Sequence, residues 1–201
     1  EGDDDYPVPS ADSSLEMVAK MLKVPGFDSQ YLGLQTLSSL VDSEKLTLST
    51  ARAVAAKLFQ PDNVVGSKVL GYIVNCDPSE KTPQSSGVFG DDEDEDDDDD
   101  LNDSIILRNS CLNILANATK AHGSVPEYLR KLLRPSLIQD LREADVHPNA
   151  ALLTAKCMEY FVRDDEDTTE LNEVFEIAHK AGEARNASLM RQSKKCMMAI
   201  R

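Results

Sequence analysis

Five short patches of one shape recur along this 201-residue chain, and their recurrence is the strongest constraint on its fold. They read QTLSSLV from Gln35, KVLGYIV from Lys68, SCLNILA from Ser110, KCMEYFV from Lys156 and KCMMAI from Lys195. Each sets a large apolar side chain at its third and sixth positions: Leu37 and Leu40, Leu70 and Ile73, Leu112 and Leu115, Met158 and Phe161, Met197 and Ile200. Residues three apart share a face of an α-helix but fall on opposite faces of a strand, so the patches read as buried stripes of helices. Their first anchors lie 33, 42, 46 and 39 residues apart, around the roughly 40-residue period of two- and three-helix repeats. A leucine-rich globular helical bundle produces some such recurrence by chance and stands as the alternative architecture.

Helical periodicity fills most of the chain between short breaks. Structure is expected to start at Ser13, where Ser13-x-x-Glu16 has the form of a capping box, and the first helix to end at Val24-Pro25-Gly26. Further helical blocks are expected at 28–41, 47–59, 62–75, 104–121, 126–133, 135–143, 149–163, 168–181 and 184–201. Pro135 and Pro148 then fall in first turns, which tolerate proline. Tyr72-Ile73-Val74 is rich in strand formers, but it continues the helical pattern of Val65, Val69 and Leu70, so no strand is expected. Apolar residues make up 41% of the chain with 5% aromatics and no Trp, leaving Leu, Val, Ala, Ile and Met to build helix-helix contacts.

The net charge of -15 is concentrated in residues 91–100, ten acids in succession; the rest of the chain sets 26 acids against 21 bases. With Gly87 and Gly90 ahead of the run, residues 83–103 are expected to be an acidic disordered insertion. The chain divides accordingly into an acidic flexible lead-in at 1–12, helical repeats at 13–82, the insertion, and further helical repeats at 104–201. Acidic surfaces repel phosphate backbones, so nucleic acid is disfavoured and protein partners with basic segments are favoured. The sequence begins with Glu1 rather than Met and stops at Arg201 inside a periodic stretch, which is the pattern expected of a fragment of a longer chain.

Cys76, Cys111, Cys157 and Cys196 form no CxxC pair, and no apolar stretch approaches the roughly 18 to 20 residues of a membrane span. A reducing setting, cytoplasmic or nuclear, is expected. Three of the four cysteines share the position before the first anchor with Thr36 and Val69, where a small buried side chain fits. His122, His147 and His179 are isolated, the acidic run lacks the glycine and terminal glutamate of a calcium-binding loop, and GxxxxGK[ST], GxGxxG and GxSxG are absent. Asn117-Ala-Thr119 and Asn186-Ala-Ser188 match the glycosylation sequon by chance within helical blocks. No catalytic residue, cofactor or metal site is expected, and the chain is read as no enzyme.

The stretch 107–119, LRNSCLNILANAT, resembles the third helix of an armadillo repeat. The following blocks at 127–133, 135–143 and 149–163 are similar to that family's three-helix order, with Pro135 at the turn between the first two. The resemblance covers 28–201 and implies an all-α, armadillo/HEAT-like right-handed helical solenoid, whose third helices line a groove that binds extended segments of other proteins. Two positions past each second anchor stand Asp42, Asn75, Asn117 and Arg163; one turn earlier stand Ser38, Gly71, Asn113 and Glu159. In the nuclear-import adaptors of this family these rows tend to be Asn and Trp and clamp a basic peptide. This chain has no Trp, while an Asn amide still offers a donor and an acceptor to any extended backbone. The resemblance therefore implies a protein-interaction scaffold. Two other readings remain: a regulatory module of a larger enzyme such as a kinase or ligase, and an acidic chaperone for histones or other basic proteins in which residues 91–100 do the binding.

Overall fold

The computed structural model describes residues 10–75, 96–162 and 168–200, and all regular structure among them is helical. The order is α1 Ala11–Lys23, α2 Phe27–Val41, α3 Leu48–Leu58, α4 Val64–Asn75, α5 Asp96–His122, α6 Glu127–Arg142, α7 Pro148–Met158, α8 Thr168–Arg185 and α9 Ala187–Ala199. The all-helical expectation holds for these residues. The lead-in before Ser10, most of the insertion and Arg163 lie outside them.

Several helix ends correct the sequence reading. Ser10, not Ser13, caps α1: its Oγ accepts the Ser13 amide at 3.2 Å and the Ser13 hydroxyl donates back to the Ser10 carbonyl at 3.0 Å. Glu16 sits one turn further in and pairs with Lys20. Helix α5 begins at Asp96, eight residues ahead of the expected start, so the second half of the acidic run is helical. Apolar period sees only the buried part of a helix, and acids are favoured where the macrodipole is positive.

The expected pair of helices at 126–133 and 135–143 is one helix, α6, with Pro135 inside it. A mid-helix proline forfeits one amide donor and costs about 3 kcal/mol. Here Leu129, Leu133, Leu137, Ile138 and Leu141 form one buried stripe across the proline, and burying each such side chain is worth about 1.5 to 3 kcal/mol. Continuous burial outweighs the local penalty. Helix α7 closes early, at Met158, where Tyr160 and Phe161 donate three residues back to Cys157 and Met158 and tighten the chain into a turn.

The helices contact one another in two rows. Helix α2 lies against α5, α5 against α7 and α7 against α9; in the other row α1 meets α4, α4 meets α6 and α6 meets α8. Sequence neighbours α1 and α2, α4 and α5, α6 and α7, and α8 and α9 pair across the rows, while α3 fits against α1, α2 and α5. The core runs between the rows. Leu37, Ile73, Leu112, Leu115, Met158 and Phe161 are buried in it, and Leu40, Leu70, Met197 and Ile200 lie partly buried against it. Cys111, Cys157 and Cys196 are fully buried free thiols. Burial pushes the Cys157 thiol far up and that of Cys196 up to about 12, so neither supplies a thiolate nucleophile near neutral pH.

A charged group is also built into this core. Arg108 of α5 and Asp140 of α6, each 4% exposed, pair at 2.8 Å, and the Thr154 hydroxyl of α7 donates to the other Asp140 oxygen at 2.6 Å. Arg108 Nε also donates to the Ile73 carbonyl near the end of α4. Burial pushes the Asp140 carboxyl above its ordinary value, against the opposing influence of Arg108 and Thr154.

Helices α8 and α9 are joined through Asn186 alone, whose side chain accepts the Ser188 and Leu189 amides. The hairpin closes over Gly182, where an added Cβ would stand 2.4 Å from the Met190 amide nitrogen. Gly182→Ala is therefore expected to destabilise the chain by about 1 to 3 kcal/mol through overpacking against backbone. Gly71→Ala, where the added carbon meets only Asn75 Nδ2 at 3.8 Å, is expected to be neutral or stabilising by up to about 1 kcal/mol. Denaturant midpoints of the two variants check the contrast.

Candidate functional site

The face formed by α2, α5, α7 and α9 carries a polar groove of about 500 Å³. Each helix contributes a stripe at three- and four-residue spacing, opposite its buried stripe. Helix α2 and the loop after it give Gln35, Ser38, Asp42, Glu44 and Lys45; α5 gives Asn113, Ala116, Asn117 and Lys120; α7 and its closing turn give Lys156, Glu159 and Tyr160; α9 gives Gln192 and Lys195. The helices that bury Leu37, Leu112 and Met158 bring these residues, polar except for Ala116, to one groove, whereas α4, which buries Ile73 of the Lys68 patch, does not reach it.

Side-chain bonds stitch the groove across its helices. Asn113 Nδ2 donates to Ser38 Oγ at 3.0 Å, joining α5 to α2. Gln192 Nε2 donates to Glu159 Oε2 at 3.0 Å and Lys195 pairs with the same oxygen at 2.9 Å, joining α9 to α7. Lys120 pairs with Glu44 at 3.0 Å, and that hydrogen bond holds its ammonium above the ordinary lysine value. Asp42 Oδ1 accepts the Glu44 amide at 2.9 Å. The half-buried Asn117 amide makes no hydrogen bond within the described chain, and neither do the side chains of Gln35, Lys45 and Lys156.

Of the sequence candidates, Asp42, Asn113, Asn117 and Glu159 come together in this groove, with Ser38 beside them. Asn75 does not. It lies with Gly71 on α4, in the other row, beside a more apolar depression of about 420 Å³ that also meets Leu70, Val74, Tyr128 and Leu132. The Lys68 patch has the right shape for a buried stripe, but a stripe does not encode which row its helix joins. Arg163 is outside the described residues. Sequence reasoning missed Gln35, Lys156 and Lys195, which share one signal: each is the polar residue that opens its patch. It also missed Glu44 and Lys45, which belong to a loop that no periodicity marks.

Among the described residues no group of three or more His, Cys, Asp or Glu side chains is placed to hold a metal ion. No helix among them is long and apolar enough to cross a membrane. No protein-family model, curated protein or solved structure matches the chain.

Proposed function

We propose that the chain is a protein-interaction scaffold, a segment of an armadillo/HEAT-type helical solenoid that seats an extended segment of a partner protein in the groove of α2, α5, α7 and α9. The supporting observation is that groove: helices from separate parts of the sequence present polar stripes on one face, with the Asn117 amide unpartnered beside Asn113. An amide so placed can donate to a carbonyl and accept from an N–H of a partner backbone, which removes the penalty that backbone meets when it leaves water. The order α3, α4, α5 supports the armadillo variant, with α3 set against α1, α2 and α5, α4 in one row and α5 in the other. Helix α6 departs from it by running through Pro135 as one helix. On this reading the chain binds and does not catalyse, and it works in the cytoplasm or nucleus.

Affinity capture from cell extract tests the reading, comparing the intact chain with Asn113→Ala/Asn117→Ala and with a form whose residues 91–100 carry amides in place of carboxylates. The asparagine pair is expected to weaken a captured partner by about 1 to 3 kcal/mol, chiefly through faster dissociation, with the fold intact. Neutralising the acidic run is expected to slow association with a basic partner and to remove part of its salt dependence. If the asparagine pair leaves affinity unchanged while the neutralised run abolishes it, the acidic segment is the binding element and the chaperone reading replaces the groove.

A further inference from the structure

The groove's charges are not distributed as the whole chain's are. Three acids and four lysines line it, in a protein of net charge -15. The acids are already held: Asp42 by the Glu44 amide, Glu44 by Lys120, and Glu159 by both Gln192 and Lys195. Lys45 at one side and Lys156 at another have no ion pair among the described residues. A basic segment laid here would find Glu44 and Glu159 already paired with lysines, Asp42 alone without a cation among the described residues, and two ammonium groups lining the same groove. A segment bearing carboxylates would find two cations that have no ion pair among the described residues.

We infer that the partner segment seated in this groove is acidic, with Asp or Glu side chains meeting Lys45 and Lys156 while its backbone is held at Asn117. The inference rests on the groove being a binding site and names the chemistry of what enters it. It is separate from any attraction that residues 91–100 exert on basic surfaces. Because the chain as a whole repels an acidic segment at long range, discrimination comes from close contact and not from steering. Exposed charges beyond about 8 Å are largely screened at physiological salt, and the contacts at Lys45 and Lys156 fall inside that range.

A displayed library of random-sequence peptides tests this directly. Selection on the intact chain with counter-selection on Asn113→Ala/Asn117→Ala retains only peptides that depend on the groove. These are expected to be enriched in Asp and Glu. Lys45→Glu/Lys156→Glu is expected to weaken a recovered peptide about tenfold or more, and Lys45→Arg/Lys156→Arg to retain it. Enrichment in Lys and Arg, or indifference to the charge reversal, overturns the acidic assignment and leaves the groove standing as a site. Recovery of no groove-dependent peptide overturns both.

Discussion

Arg108→Met is expected to destabilise the chain by about 3 to 5 kcal/mol, the cost of leaving one member of a buried ion pair without its partner. Asp140 is 4% exposed and keeps only the Thr154 hydroxyl once the guanidinium is gone. The loss has a pH signature. Without Arg108, burial acts on the Asp140 carboxyl with less opposition, so the folded chain retains a proton that the unfolded chain releases at its ordinary value of 3.8. The deficit against the parent chain is then smallest below that value and grows as pH rises through the folded-state value. Replacing both members, Arg108→Met with Asp140→Leu, is expected to recover much of the stability, since no charge is left buried. Denaturant unfolding of the three proteins across this range decides the matter; a deficit that does not change with pH removes Asp140 ionisation as its cause.

Phe161→Ala is expected to cost about 3 to 5 kcal/mol, and Leu115→Ala about 2 to 5 kcal/mol. Both side chains are 1% exposed, and both are second anchors of a recurring patch. Phe161 is the sharper test because it lies in the turn beyond α7, where no regular helix holds it in place. Its contribution is therefore burial alone. Changes within about 0.5 kcal/mol, the range of ordinary surface substitutions, would remove these residues from the core.

What the sequence discloses follows from what periodicity can encode. A three-residue apolar spacing specifies a helix and one buried face, so the helices and Leu37, Leu112, Leu115, Met158 and Phe161 are legible. Asp42, Asn113, Asn117 and Glu159 are legible for the same reason, since a fixed offset from a buried anchor is a fixed position around the helix. The row of a helix is a tertiary property, and Asn75 was misplaced on that account. Helix α9 escapes by register: Gln192 and Lys195 reach the groove from the start of its patch and the turn before it, not from the position that serves α2, α5 and α7. Arg108 and Asp140 escape altogether, because a charged residue in a helical pattern reads as solvent-facing unless its partner is known. Pro135 misled by its strongest rule, and the buried stripe on both sides of it explains why the rule gave way.

The early start of α5 carries a geometric consequence. Its 27 residues extend for about 40 Å, and about 25 Å of that separates Asp96 from Asn113. The end of the acidic run and the middle of the groove are thus mounted on one stiff rod instead of being joined by a tether. A tether lets two weak contacts find each other over a range of spans, with an effective concentration that falls slowly as the linker lengthens. Under the proposed binding role, a rod acts as a ruler: only a partner whose own two contact points match that span would engage both, and for such a partner the second contact would form without further ordering of this chain.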